Sequence, residues 1–406
     1  MTDVVICSAA RTAVGSYGKG LASVPPSDLG AAAAGAAIDR AGIAAADVEH
    51  VVFGNVIHTD GSDAYMARVV GMKAGIPKEV PAYTVNRLCG TGVQAIVSAA
   101  QTIQTGEARV VLAGGAESMS RGPYWLPSAR WGARMSDATM VDSVVGTLTD
   151  PFAHTHMGVT AENLAKRGGI SRERQDAFAV RSHQRAAHAR AEGWFADEIV
   201  PVAVASRRET TEFREDEHIR PDVTAEAMAR LRPAFDPEGS VTAGNASGVN
   251  DAGAALVLMS ADRARELDAP VRARILAYGS CGVEPSIMGI GPVPAVRRVL
   301  ERAGRSLEEV EVIELNEAFA AQSLAVIDDL GLDEDKVNPN GGAIALGHPI
   351  AATGAVIATK ILSDMERRDL HLGLVTLCIG GGQGIALLLE RDGRSARGQA
   401  RTQRVS

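Results

Sequence analysis

Cys89 stands where a polypeptide chain would present a nucleophile. It follows an extended stretch, 82–88, and precedes Gly90-Thr91-Gly92 and a run of good helix formers. Glycines permit a tight turn from strand to helix, and the amides and dipole at a helix N-terminus favour a thiolate. The alternative is a small buried hydrophobic residue. We favour the nucleophile because the glycines on both sides of Thr91 have no evident packing purpose.

A histidine, a second cysteine and an asparagine occupy comparable places. His348 and Pro349 end a Gly- and Pro-rich stretch, which predicts a rigid loop that aims an imidazole; a cap or core residue explains a lone histidine equally well. Cys378 closes an apolar strand, and the amides of 380–382 would suit an oxyanion hole. Asn316 ends another strand, where its amide would bind a water or a carbonyl; a helix N-cap is at least as good an explanation.

These residue types indicate chemistry on an acyl thioester. One cysteine with a histidine would serve any such reaction, including hydrolysis. Making or breaking a carbon–carbon bond beside a thioester needs a nucleophile to hold one acyl group and a different acid/base to manage the α-proton. Two thiols fit that division, whereas a hydrolase would have no use for Cys378.

The elements that must position these residues alternate between strands and helices. Apolar runs separated by Ala-rich stretches predict an α/β architecture with buried strands; the runs are 51–57, 110–113, 310–315 and 374–379. An internal repeat is also present, because 39–42 and 47–49 recur as 301–304 and 309–311. Each half then has the same order of elements: a strand, a sharp turn with a reactive residue, a helix and a Gly-rich strand end. The two helices are predicted at 92–104 and 353–362. We therefore expect two halves that share one fold.

The segment between the halves, 118–242, differs in character. It contains all three Trp residues and a charge-rich stretch, 207–220. Insertions of this length are more often functional than decorative, so we expect a domain that covers a site; a surface elaboration is the alternative. The final residues are rich in Arg and poor in apolar side chains, which predicts a disordered basic tail.

Composition narrows the classes of ligand. The chain has 406 residues, a net charge of −8 and 4% aromatic residues, which disfavours nucleic acid and anionic membranes as partners. No signal peptide or transmembrane stretch is evident. The four cysteines are widely spaced, so we expect no disulfide framework, no metal site, reduced thiols and a cytoplasmic location. The ligand is expected to be small.

At these residues the sequence resembles the thiolase family, the acetyl-CoA acetyltransferases and 3-ketoacyl-CoA thiolases. The resemblance runs from Val4 to about Glu390 and rests on several motifs: Arg11-Thr12-Ala13, Asn86-Arg87-Leu88-Cys89-Gly90, Gly114-Gly115-Ala116-Glu117-Ser118-Met119-Ser120, Thr242-Ala243-Gly244-Asn245-Ala246-Ser247-Gly248, Asn316-Glu317-Ala318-Phe319, Asn340-Gly341-Gly342-Ala343, Gly347-His348-Pro349 and Cys378-Ile379-Gly380-Gly381-Gly382.

The resemblance implies an α/β, thiolase-like fold: two similar halves in a five-layered α-β-α-β-α core with an inserted loop domain. The implied domains are an N-terminal half (1–118 and 243–269), a CoA-binding loop domain (119–242), a C-terminal half (270–391) and a disordered basic tail (392–406). It also implies a homodimer or a homotetramer built as a dimer of dimers, of which we expect the tetramer.

The reaction implied by the resemblance is condensation of two acyl-CoA molecules to a 3-ketoacyl-CoA and CoA, or the reverse cleavage, as in fatty acid metabolism and beta-oxidation. Cys89 would carry the acyl group, His348 would accept its proton, and Cys378 would manage the α-proton. The enolate oxygen would be held by His348 and a water on Asn316, and the tetrahedral intermediate by the amides of Cys89 and Gly380. Coenzyme A is a substrate and product, and no other cofactor is expected.

For the acyl-CoA itself, the resemblance points to ten residues of the loop domain and its surroundings. They are Ser247, His156, Met157, Arg220, Leu148, Ala243, Phe235, Met288, Ala318 and Phe319. Thr91, Thr353 and Ala227 depart from the family pattern, the first two by small changes; Ala227 replaces a Ser that contacts the nucleotide, so that contact is not expected here. Bulky side chains near the pocket lead us to expect a preference for short acyl chains.

Overall fold

The computed structural model describes residues 2–205 and 209–391. Its strands are β1 (Val4–Thr12), β2 (Gly15–Ser16), β3 (His50–Gly54), β4 (Ala82–Val85), β5 (Val110–Ser118), β6 (Tyr124–Trp125), β7 (Val141–Asp142), β8 (Ile199–Val200), β9 (Val202–Ala205), β10 (Thr210–Phe213), β11 (Asn250–Ser260), β12 (Ala273–Gly282), β13 (Val312–Leu315), β14 (Leu372–Ile379) and β15 (Gln383–Glu390). Its α-helices are α1 (Pro26–Ala41), α2 (Met66–Lys73), α3 (Thr91–Gln104), α4 (Ser143–Thr147), α5 (Met157–Gly168), α6 (Arg172–Ala191), α7 (Ala225–Ala229), α8 (Ala261–Glu266), α9 (Pro292–Ala303), α10 (Ala320–Leu330), α11 (Ala343–Leu346) and α12 (Ile350–Arg368).

The sheet repeats one pattern twice. In the first half β3 runs parallel to β5, β5 antiparallel to β11, and β11 antiparallel to β1. In the second half β13 runs parallel to β14, β14 antiparallel to β15, and β15 antiparallel to β12. In the first half β4 pairs with β3 in parallel. At the equivalent place in the second half, Val337 forms a single parallel bridge with Ile313 of β13. The prediction of two halves with one fold is confirmed.

Helices cover both faces of each half-sheet, that is, of the strands that belong to one half of the chain. Helices α3 and α12 lie between the half-sheets and share one apolar cluster with both, including Val93, Ile96, Ile357 and Ile361. Helices α1 and α2 pack on the outer face of the first half-sheet, and α9 and α10 on that of the second. The order helix, sheet, helix, sheet, helix is the predicted five-layered core. Cys89 and His348 precede the two central helices.

The inserted segment leaves the first half after β5 and returns at β11. In the second half, the equivalent connection from β14 to β15 is only the turn 380–382. A buried ion-pair cluster fastens the insertion to β1, since Arg11 lies 2.8 Å from both Glu198 Oε2 and Asp216 Oδ1. The predicted basic tail, 392–406, lies outside the described residues.

Several boundaries differ from the sequence predictions, and for two of them the physical reason is plain. The helix predicted at 353–362 runs from Ile350 to Arg368, because Pro349 occupies the N-cap position and the helix begins directly after it. The strand predicted at 51–57 spans His50–Gly54, where pairing with β5 ends. Within the described ranges, every helix is too short or too polar to cross a bilayer.

Candidate active site

Cys89 lies in a sharp turn between β4 and α3. Leu88, directly before it, has φ 47°, a left-handed conformation that is strained for a branched residue. The turn is held by the Arg87 N–H, which donates to Thr91 Oγ1 (2.8 Å), and by the Leu88 N–H, which donates to Asn86 Oδ1 (3.0 Å). Cys89 keeps partial exposure. The prediction of a presented side chain is supported by this turn.

The glycines beside Thr91 do have a packing purpose, so that part of the sequence argument was wrong. A Cβ on Gly90 would lie 2.6 Å from Ile379 Cδ1, at the end of β14. A Cβ on Gly92 would lie 2.4 Å from the backbone nitrogen of Ala355 in α12. These glycines let the Cys89 turn approach both the Cys378 strand and the helix that follows His348.

Cys378 and Gly380 meet Cys89 at the end of β14. The N–H of Gly380 and the N–H of Cys89 itself both donate to the Cys89 thiolate, and each lowers its pKa. Burial outweighs them and raises the pKa of Cys89 to about 11. Burial, and then the charge of Cys89, raise the pKa of Cys378 well above its usual range. The charge on one thiol thus affects the other, and at Cys89 burial favours the neutral thiol and opposes the effect of the amides at the helix start.

His348 is held through its backbone and through one ring nitrogen. Its backbone N–H donates to Asn250 Oδ1 (2.9 Å), and Nδ1 lies 2.7 Å from Thr353 Oγ1. Gly347 has φ 106°, and a Cβ there would lie 2.3 Å from Asn250 Cγ, so this approach requires glycine. Burial lowers the pKa of His348 to about 4, which keeps the imidazole neutral. Its Nε2 is buried and has no protein partner among the described residues.

Asn316 has the second unpartnered polar group. Its side chain is buried, and neither Oδ1 nor Nδ2 has a hydrogen-bond partner in the described part of the chain. It is not the N-cap considered above, since α10 begins at Ala320 with Phe319 as its cap. Its N–H donates to Thr376 O (3.0 Å), which places it beside β14. Because buried polar groups are normally hydrogen-bonded, the Asn316 amide and His348 Nε2 are candidates for substrate contact.

Comparison with known proteins agrees with this arrangement. The family model for the thiolase N-terminal domain matches residues 4–262, and that for the thiolase C-terminal domain matches residues 269–391. The chain belongs to the thiolase family. Beta-ketothiolase BktB of Cupriavidus necator is 54% identical, covering 96% of this chain and 99% of the relative. Acetyl-CoA acetyltransferase of Pseudomonas aeruginosa is 53% identical, covering 97% of this chain and 100% of the relative.

Solved thiolase structures have the same fold. The acetyl-CoA acetyltransferase of Bacillus anthracis superposes with a TM-score of 0.94 at 47% identity, covering 96% of this chain and 99% of that one. Human mitochondrial 3-ketoacyl-CoA thiolase in complex with CoA superposes with a TM-score of 0.93 at 44% identity, covering 96% of this chain and 98% of that one. The thiolase-like fold is thus confirmed.

Most of the predicted acyl-CoA residues of this thiolase lie near the two sulfurs. One apolar cluster contains Cys378 together with Met157, Met288, Ala318 and Phe319, and Phe235 packs against it. Leu148 and Cys89 both pack against a second, smaller apolar cluster. A Cβ on Gly380 would lie 3.1 Å from Met157 Cε, so the inserted segment reaches the site.

The remaining predicted residues extend from this cluster to the surface. His156 stacks on Phe235 at 4.5 Å between ring centroids, and its Nδ1 accepts from the Gly158 N–H (3.0 Å). The Ser247 N–H donates to Ala318 O (3.0 Å). Arg220 and Ala243 are exposed on the surface. Their contacts with coenzyme A stay predictions.

Two buried glutamates near the site had no role in the sequence analysis. Glu117 accepts from the N–H groups of Ile57 (3.0 Å) and Ala351 (3.0 Å), and burial raises its pKa to about 8. Glu317 accepts from Ser182 Oγ (2.6 Å) and, on the same oxygen, from the Ile344 N–H (3.1 Å). Each joins separate segments at the site. The sequence did contain a signal for them. Each glutamate follows or ends an apolar strand, where an unpaired charge would be unfavourable, so a buried and hydrogen-bonded carboxyl could have been predicted.

Proposed function

We propose that the protein is an acyl-CoA C-acyltransferase that condenses two acyl-CoA molecules to a 3-ketoacyl-CoA and CoA, or cleaves the product in reverse, through an acyl-Cys89 thioester. The observation that carries this proposal is the close approach of the Cys89 turn to the end of the Cys378 strand, where Gly90 packs on Ile379, which brings two free thiols to one site. Each thiol has a separate task in the proposed mechanism.

In the first half-reaction Cys89 attacks the thioester carbon of an acyl-CoA. His348 Nε2 takes the thiol proton, because the ring is neutral and this nitrogen has no protein partner in the described residues. The CoA thiolate leaves and receives that proton. A resting thiol of high pKa suits this route, in which the proton is removed only as the sulfur attacks. Hydrogen bonds from the amides of Cys89 and Gly380 stabilise the oxyanion of the intermediate.

In the second half-reaction the thiol proton of Cys378 passes to the neutral His348 Nε2, and the resulting thiolate removes an α-proton from a second acyl-CoA. The raised pKa of Cys378 makes its thiolate a strong base and its thiol a stable holder of the proton. The enolate oxygen would be held by His348 and by a water on Asn316. The enolate attacks the acyl carbon on Cys89, a carbon–carbon bond forms, the bond from that carbon to the Cys89 sulfur breaks, and the sulfur takes the proton from His348. Residues of this chain perform every proton transfer in the proposed mechanism, so coenzyme A is the only acyl carrier that the reaction needs.

The acyl and pantetheine groups would lie along the apolar cluster at the inserted segment. Met157, Met288 and Phe319 line the region beside Cys378, and their bulk favours short acyl chains. Rates across acetoacetyl-CoA and longer 3-ketoacyl-CoAs test this preference. A rate that rises with chain length would contradict it.

Oligomerisation as a homotetramer is supported by exposed apolar side chains on the inserted segment. Trp131 is 86% exposed and Phe152 70% exposed, with Tyr124 and Trp125 nearby in sequence. Apolar surface of this kind is normally covered by a partner. Light scattering measures the assembly directly, and a monomer would contradict the proposal. A reducing cytoplasm would keep the two proposed reactive thiols free.

The function is tested by CoA-dependent cleavage of acetoacetyl-CoA, followed through the absorbance of its magnesium enolate. The wild-type protein is expected to cleave it, and Cys89→Ser is expected to have no activity. Release of CoA from acetyl-CoA without acetoacetyl-CoA formation would favour a hydrolase instead. Absence of any acyl group on Cys89 would favour a non-catalytic acyl-CoA-binding protein.

A further inference from the structure

Thr353 lies in the first turn of α12, against the ring of His348. Its side chain is buried, and its Oγ1 lies 2.7 Å from His348 Nδ1 and 2.9 Å from Pro349 O. Both distances are those of good hydrogen bonds. The hydroxyl therefore connects the imidazole to the backbone of its own loop.

The single hydroxyl proton decides how the ring is protonated. A carbonyl oxygen only accepts, so the contact with Pro349 O uses the Thr353 proton. Helical threonines commonly donate to the carbonyl four residues earlier, and Thr359 does so to Ala355 O (2.9 Å) in the same helix. Because the Thr353 hydroxyl donates its proton to Pro349 O, its hydrogen bond with His348 Nδ1 must use a proton on the ring. Nδ1 is then protonated, and Nε2 carries the lone pair.

We propose that Thr353 is a positioning residue that holds the neutral imidazole of His348 in the Nδ1–H tautomer, with Nε2 free to accept the Cys89 proton. This inference rests on the proposed function of His348 as the base. The partner is an uncharged hydroxyl rather than a carboxylate, so it orients the ring without adding the charge that would hold a proton on it. A base that releases its proton readily suits a reaction that runs in both directions.

Three variants separate this role from general packing. Thr353→Val keeps the shape and removes the hydroxyl, whereas Thr353→Ser keeps the hydroxyl. Thr359→Val is the matched control, because it removes the same type of buried back-bond from the same helix without touching a histidine. Circular dichroism and urea unfolding verify that each variant is folded.

The kinetic readout is thiolysis of acetoacetyl-CoA. Loss of one hydrogen bond to a reacting group predicts that Thr353→Val lowers kcat by roughly 10- to 100-fold, with KM changed less than about threefold. Thr353→Ser should restore kcat to within about threefold of wild type. Thr359→Val should leave it nearly unchanged. Wild-type kcat in Thr353→Val would overturn the proposal, as would an equal loss in Thr359→Val.

The tautomer itself is read by solid-state nitrogen-15 NMR of histidine-labelled wild-type protein without substrate, with His348 assigned by difference from His348→Asn. The expected spectrum has a protonated Nδ1 and an unprotonated Nε2 at His348. A protonated Nε2 in the resting protein would overturn the inference. This measurement does not depend on turnover, whereas failure of the wild type to cleave acetoacetyl-CoA would contradict the proposed function alone.

Discussion

The crossing of α3 and α12 at Gly92 and Gly354 sets the distance between the Cys89 turn and the His348 loop. Gly92→Ala tests this directly, because its Cβ would lie 2.4 Å from Ala355 N, while ordinary contacts begin near 3.4 Å. The contacted atom is backbone, so no side-chain rotation relieves the overlap. The two helices must therefore separate by about 1 Å.

We expect that separation to lower both the free energy of unfolding and kcat, with the larger effect on kcat. Overpacking of a tight core costs about 1–3 kcal/mol, offset in part by the better helix propensity of alanine. Misplacing catalytic groups by about 1 Å costs on the order of 100-fold in kcat. Urea unfolding and acetoacetyl-CoA thiolysis measure the two effects on the same preparation.

Gly35→Ala is the matched control. Gly35 lies inside α1, and a Cβ there meets nothing within 4 Å, so the change should stabilise the protein by about 0.5–1 kcal/mol and leave kcat unaltered. If Gly92→Ala retained wild-type kcat and stability, the crossing would not control the site and this reasoning would be refuted.

Two further predictions concern buried charge. Lys360 is fully buried, and its Nζ lies 2.9 Å from Glu314 Oε2 and 2.6 Å from Gly341 O. Lys360→Met should therefore lower the free energy of unfolding by about 3–5 kcal/mol, because it leaves Glu314 unpaired. Burial raises the pKa of Glu314, so the loss should be smaller at pH 5 than at pH 8, where the carboxyl is ionised; a pH-independent loss in urea unfolding would contradict this. The pKa of Cys89, raised to about 11, predicts a neutral thiol at pH 8, so the ultraviolet thiolate absorbance of wild type and Cys89→Ser should be the same there; a thiolate band absent only from the variant would contradict it.

The reactive residues and the paired halves were predictable because they depend on local sequence. Turn-forming glycines, strand ends and repeated segments leave signals over a few residues, which is why Cys89 could be placed in a turn, His348 in a loop and Cys378 at the end of a strand. The start of α12 was missed by three residues although Pro349 marks it.

What the sequence did not reveal depends on contacts between distant segments. The close approach of Gly92 to Ala355 joins residues that are far apart in the chain, and no local pattern indicates it. The effect of burial on the pKa of Cys89 was missed for a related reason. The favourable amides at a helix start are a local feature, whereas the burial that outweighs them comes from the whole fold. The same holds for Glu117, whose partners Ile57 and Ala351 lie on separate segments.

The division of labour between the two thiols is tested most directly by mass spectrometry of Cys378→Ser after incubation with acetyl-CoA. The account predicts an acetyl group on the peptide that contains Cys89, with no acetoacetyl-CoA formed. A Cys378→Ser protein that forms acetoacetyl-CoA at the wild-type rate, or that never acquires the acetyl group, would contradict it.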